Sequence, residues 1–220
     1  MNEAPSAPEG VIQFKRLMRL RSWTPFDLKK QSRELNEWRF VLKQFGWLGQ
    51  APDRYDGLGF GNLSVRVGSR TSEIGHRQFL ISGSQTGHLP TLPDSHIAWI
   101  SAYTVMQNEV THATHALPSS ETLTHAAIYD SNANMRACIH VHCPVIWNNC
   151  DRLNLPYVPK QVPYGTVEMA RNILDLQRKI SPLDPKPIVM KGHEDGVICG
   201  ASSLEVAFLS LLNTFRTSSA

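Results

Sequence analysis

Leu28, Leu35, Trp38, Leu42 and Phe45 recur at helical spacing among charged and polar neighbours. That spacing predicts a surface helix with one buried face. Thr24 is placed to cap it, Pro25 suits the first helical position, and Asp27 favours the positive end of its dipole. Gly46 and Gly49 mark its end. After Gly57 the pattern changes to short strands between glycine turns. Leu63, Val65 and Val67 alternate with Ser64 and Arg66, the period of a half-buried strand. Phe79-Leu80-Ile81 and Ile97-Ala98-Trp99-Ile100 read as further strands. A helix follows from Ser119 or Ser120, with Leu123, Ala126, Ala127 and Asp130 on one face. Cys138 to Cys143 is a strand stopped by Pro144. A helix from Thr166 carries Val167, Ala170, Ile173 and Leu174, and Ile188-Val189-Met190 and Val197-Ile198 are two short strands. The last helix carries Leu204, Ala207, Phe208, Leu211, Leu212 and Phe215 behind a capping box of Ser202 and Glu205. Helices and strands mix throughout with no composition break between them, which predicts one α/β domain.

Composition narrows the class. The chain has 220 residues; a domain of this size buries roughly 70% of its unfolded surface and needs no disulfide or metal merely to fold. Apolar residues at 41% and charged residues at 19% describe a globular sequence rather than a disordered one. A net charge of +3 from 22 basic and 19 acidic side chains is too small to argue for nucleic acid as a partner. No apolar run is long enough for a membrane-spanning helix. The four cysteines form no CxxC pair and read as reduced thiols. The first ten residues, Pro/Ala-rich and read as a disordered tail, have neither the basic start nor the apolar stretch of a signal peptide, so the expected location is cytoplasmic. Residues 11–23 interleave Val11, Ile12, Phe14, Leu17, Met18 and Leu20 with Lys15, Arg16, Arg19 and Arg21. Such a basic amphipathic stretch either lies on a membrane surface or packs as an arm against the body or a neighbouring subunit; the arm is the plainer reading.

The segment Cys138-Ile139-His140-Val141-His142-Cys143 carries the most chemistry. Residues two apart on a strand share a face, so His140 and His142 project together and can bind one metal ion side by side. A catalytic zinc site uses three protein ligands and keeps one position open. The alternative is a pair of histidines lining a polar face. His193 lies in a glycine-flanked loop, Lys191-Gly192-His193-Glu194-Asp195-Gly196, between two strands, and is the candidate third ligand. His112 and His115 sit in an irregular stretch and read as surface histidines. Pro118-Ser119-Ser120-Glu121 opens a helix, where backbone N–H groups and two hydroxyls favour an anion and Glu121 is available as base or ligand. From the spacing alone, ordinary N-capping is the plainer reading of the same residues. The turns Gly59-Phe60-Gly61-Asn62-Leu63-Ser64 and Ile81-Ser82-Gly83-Ser84-Gln85-Thr86-Gly87 bring further amides and hydroxyls capable of converging on an anion.

In order along the chain, Gly61-Asn62-Leu63-Ser64, the Ser82–Gly87 turn, Pro118-Ser119-Ser120-Glu121, His140-Val141-His142, Pro163-Tyr164-Gly165-Thr166 and a glycine-bracketed His193 resemble the class II aldolase/adducin family, over about Leu35 to Leu212. The resemblance implies a three-layer α/β/α domain with a largely antiparallel central sheet, occupying residues 25–220 behind a tail and arm at 1–24. It implies His140, His142 and His193 as ligands of Zn2+ or another divalent ion. Glu121 would be the catalytic acid/base that also touches the metal at rest. Asn62, Ser82, Ser84, Thr86, Gly87, Ser119 and Ser120 would hold the substrate's phosphate or equivalent anion. The implied activity is a lyase of carbohydrate metabolism, cleaving or forming a C–C bond in a small hydroxy-carbonyl or sugar-phosphate substrate through a metal-stabilised enediolate. The implied assembly is a homotetramer with active sites at subunit interfaces. Relatives use the same site for epimerisation, dehydration or decarboxylation, and adducin-like domains keep the fold without the chemistry; sugar-phosphate epimerases usually carry aspartate where Glu121 stands. The sequence departs from the family pattern in four places, one being the basic arm at 11–23, which has no counterpart in it. Glu194 and Asp195 intervene between His193 and Gly196, so that one of these acids is an alternative approach to the metal. Cys143 replaces a serine, and no tyrosine follows Phe215, which leaves Tyr164 as a weak candidate for proton delivery.

Overall fold

The computed structural model describes residues 11–20, 26–67 and 77–219. A nine-stranded sheet carries helices on both faces. In chain order the strands are β1 (Lys15–Met18), β4 (Asn62–Arg66), β5 (Phe79–Ser82), β6 (Ile97–Thr104), β7 (Glu109–His112), β8 (Ala137–His142), β9 (Tyr157–Val158), β10 (Ile188–Met190) and β11 (Gly196–Ala201). A separate ribbon joins β2 (Gly49–Gln50) to β3 (Gly59–Phe60). Across the sheet the order is β1-β7-β6-β5-β4-β8-β11-β10-β9. Pairing is antiparallel through the centre and parallel at the two edges, where β1 joins β7 and β9 joins β10. The expected sheet is thus largely antiparallel but mixed.

The helices are α1 (Phe26–Gln44), α2 (Thr122–Ser131), α3 (Pro144–Asn148), α4 (Val167–Gln177) and α5 (Leu204–Ser218). Strand alternation separates two apolar layers. Leu63, Val65, Ile139, Val141 and Val197 face α1 and α5, while Cys138 and Ile198 face α2 and α4. The one-sided helix at 28–45 is α1, which turns Leu28, Ser32, Leu35, Arg39 and Leu42 inward. Each of its fully buried leucines contributes about 1.5–3 kcal/mol. Gly46 stops it at φ +66°, where Gly46 N–H donates to the Lys43 carbonyl and Trp47 N–H to the Leu42 carbonyl, a Schellman closure. The caps read at Thr24 and Pro25, the Asp27 side chain, the tail at 1–10 and residues 21–23 lie outside the described residues.

Several expectations need correction. Strand β4 is buried on both faces, because α2 covers the side bearing Ser64 and Arg66. Their polar groups are satisfied there: Ser64 Oγ is 2.7 Å from both His125 Nδ1 and Tyr129 Oη, and Arg66 donates to the Tyr129 carbonyl. Helix α2 starts at Thr122; residues 119–121 form a turn before it. The last helix is capped by Ser203, which accepts from Val206 N–H at 3.2 Å, so the Ser202–Glu205 box is out of register by one residue. His112 is buried and holds the Thr114 carbonyl at 2.8 Å; only His115 of that pair is exposed. In the basic stretch, Phe14 enters the core beside β5 and β6, and Lys15–Met18 forms an exposed edge strand. No helix among the described residues is long and apolar enough to cross a membrane.

Candidate metal centre and anion cleft

Strand β8 lies between β4 and β11, with His140 paired to Asn62 on one side and Ile198 on the other, and His142 paired to Gly196. Both rings share the face of Cys138, toward α2. The β10–β11 hairpin returns the chain to the end of β8, and its loop is tied down by Cys143 N–H to the Asp195 carbonyl at 2.9 Å and Trp147 Nε1–H to the His193 carbonyl at 3.1 Å. His193 thereby faces the pair. One ring nitrogen from each of His140, His142 and His193 lies within 4.8 Å of the others, and all three residues are buried. The His193 ring stacks on His140 at 4.9 Å and on Tyr164 at 4.5 Å between centroids.

These residues fit a divalent ion. His140 Nδ1 is 3.2 Å from the Val197 carbonyl, so the proton is assigned to Nδ1 and Nε2 keeps its lone pair. That Nε2 is buried with no hydrogen-bond partner among the described residues, a costly state unless a cation takes the lone pair. Burial, reinforced by His193, holds the His140 and His142 pKa values well below the ordinary histidine value. Both are therefore neutral near pH 7, the form in which imidazole binds a metal.

Glu121 sits at the N-terminal end of α2, 1% exposed. Its Oε2 accepts from Thr124 Oγ1 at 2.6 Å, and Oε1 is 3.8 Å from His193 Nδ1. Asp195 does not join the cluster: its Oδ2 accepts from Tyr55 Oη at 2.6 Å. The Tyr55 ring in turn meets His142 edge-on at 4.4 Å, and Arg54 donates to Tyr55 Oη. Sequence reading missed Tyr55, which lies 140 positions from Asp195 and carries no periodic or motif signal. Cys143 points into the opposite apolar layer, where burial raises its thiol pKa.

Beside the histidines a narrow cleft is lined by residues 59–62, 83–87 and 119–121 together with His140. A bridge between Gly83 and Pro118 holds two of these segments together. Of the residues singled out as anion binders, Asn62, Ser84, Thr86, Gly87, Ser119 and Ser120 line the cleft. Ser82 does not; its hydroxyl accepts from Leu63 N–H at 3.2 Å between strands. Three buried imidazoles, a buried carboxylate and several hydrogen-bond donors thus gather at one end of the sheet, a candidate metal centre beside a polar cleft.

The model of the class II aldolase and adducin N-terminal domain family matches residues 51–214, and the chain belongs to this family. A sugar-phosphate aldolase from Thermotoga maritima superposes with a TM-score of 0.64 at 16% identity, covering 87% of this chain and 93% of that one. L-fuculose-1-phosphate aldolase from Thermus thermophilus gives 0.63 at 15% identity, over 87% and 92%. YgbL from Klebsiella pneumoniae, a candidate aldolase/epimerase/decarboxylase, gives 0.61 at 16% identity, over 88% and 89%. At these identities the likeness is one of fold. No curated protein matches the chain by sequence.

Proposed function

We propose that the chain is a class II aldolase, holding zinc or another divalent ion on His140, His142 and His193 and making or breaking a C–C bond in a small hydroxy-carbonyl compound that carries an anionic group. The observation that supports this most is the convergence of three buried imidazoles within 4.8 Å, with a buried carboxylate 3.8 Å from one of them. A divalent ion bound there supplies Lewis-acid polarisation of a carbonyl oxygen. Thr124 fixes Oε2 of Glu121, and Oε1, on the His193 side, gives and takes the proton at the substrate carbon whose bond is made or broken. Ser84, Ser119 and Ser120 orient the substrate through its anion, while the Thr86 hydroxyl is spent on the Gly83 carbonyl at 2.8 Å. The packed sheet and α2 keep bulk water from the buried groups.

Retention of the three histidines and the acid favours an enzyme over an adducin-like interaction domain, and glutamate at 121 favours aldol chemistry over epimerisation. A cyclic homotetramer in the cytoplasm belongs to the same proposal and rests on family resemblance. The test is metal content by plasma mass spectrometry together with a panel of retro-aldol substrates. His140→Ala should lose metal and turnover together. Glu121→Gln should keep the metal and lose about 10²–10⁴ in kcat. Unchanged turnover in Glu121→Gln, or stoichiometric metal in His140→Ala, would sink the assignment.

A further inference from the structure

The turn that lines the anion cleft is gripped from behind by two cations of α1. Arg39, 1% exposed, donates through Nη1 to the Leu89 carbonyl at 2.6 Å and the Pro90 carbonyl at 3.2 Å, and through Nη2 to the Thr86 carbonyl. Lys43, one helical turn later, donates to the carbonyls of Gly87 at 2.7 Å and Leu89 at 2.8 Å. Among the described residues no carboxylate lies within ion-pair distance of either. Two like charges four residues apart on a helix repel, and burying a cation without a counter-charge is unfavourable. Burial lowers the Arg39 pKa to about 10, which still leaves the guanidinium charged at neutral pH.

The geometry gives this arrangement a direction. In a trans peptide the C=O and the N–H point opposite ways. With the Thr86 carbonyl turned onto Arg39, the Gly87 N–H is sent away from α1, toward Gly59 and the cleft. The Gly87 nitrogen lies 3.2 Å from where a Cβ on Gly59 would sit. It makes no hydrogen bond among the described residues. Residue 87 must be glycine, since a Cβ there would fall 1.9 Å from the Gly49 carbonyl oxygen. The same clamp that turns the Gly87 amide toward the cleft thus places behind it two positive charges that no carboxylate among the described residues pairs.

We propose that Arg39 and Lys43 are positioning residues of the anion cleft: they set the 86–90 turn by its carbonyls and bias the cleft toward a doubly charged oxyanion, a phosphate monoester, over a singly charged carboxylate. The proposal rests on the reading of the cleft as the substrate's anion site but not on the aldol chemistry, and its test needs no turnover. Titration calorimetry with inorganic phosphate and with acetate compares the parent, Lys43→Gln and Arg39→Gln, each checked by circular dichroism and metal content. A charge lost behind the turn should weaken phosphate about three- to tenfold and acetate much less, and should flatten the salt dependence of phosphate binding. Lys43→Glu should abolish phosphate binding with metal content unchanged. Equal losses for phosphate and acetate would reduce the pair to a structural clamp and overturn the selectivity; unchanged phosphate affinity in Lys43→Gln would overturn the whole, even if Arg39→Gln fails to fold. Phosphate binding that depends on Lys43 in a protein without aldolase turnover would keep this proposal and retire the aldolase reading.

Discussion

Replacing Gly192 with alanine probes how the third histidine is placed. A Cβ at position 192 would sit 1.9 Å from the Val162 carbonyl oxygen and 3.1 Å from that of Lys160. Carbon and a carbonyl oxygen approach to about 3.3 Å at closest, so the loop must shift by roughly 1.4 Å. Both colliding atoms are backbone, and the opposing segment is held by Lys191 N–H to the Val158 carbonyl at 3.0 Å and Val162 N–H to the Pro159 carbonyl at 3.1 Å. The adjacent residue is His193, the proposed third ligand of a zinc or other divalent ion, and a ligand position is tolerated within about 0.2 Å. The shift exceeds that severalfold. Zinc affinity should fall at least about 10–100-fold, and stability by about 1–3 kcal/mol. Chelator competition followed by a metal-sensitive dye, beside thermal melting, measures both. Gly46→Ala is the control: its φ of +66° strains an alanine but nothing lies within 4 Å, so it should cost about 1–2 kcal/mol and leave the metal untouched. Parental zinc affinity and melting in Gly192→Ala would refute both the close approach and the placement of His193 built on it.

Acid should destabilise the metal-free protein. Burial holds His125 near a pKa of about 3, so between pH 6.5 and 3 the unfolded chain binds a proton that the folded one does not, and the stability present above pH 6.5 is lost as pH falls. From this residue alone the loss at pH 5 is about 2 kcal/mol, with His140 and His142 adding in the same direction; urea melts showing equal stability at pH 7.5 and 5.0 would contradict the burial. At the last helix, Ser203→Ala should cost about 1 kcal/mol, whereas Ser202→Ala should be nearly silent. The reverse order in denaturant melts would restore the capping box one residue earlier.

Features that reside within a single element were readable without tertiary information. The buried stripe of α1, the closure at Gly46 and the shared face of His140 and His142 all follow from local periods of 3.6 and 2. Where reading failed, the cause lay in what covers an element or in a register of one residue. Ser64 and Arg66 look like a solvent face until α2 lies across them. His112 looks like a surface residue until its turn folds over it. Both Ser202 and Ser203 are good caps, and the chain's approach to α5 decides between them.

The sequence by itself determined the kinds of the central strands and the longer helices, the α/β class and which residue types could do chemistry, because these depend on local steric and hydrophobic period. Only the tertiary structure decided that His193 meets β8, that the Ser82–Gly87 turn faces Ser119–Glu121 across one cleft, and that Tyr55 claims Asp195. Those meetings join residues far apart in the chain, and they depend on strand order and sheet register, which no local period encodes.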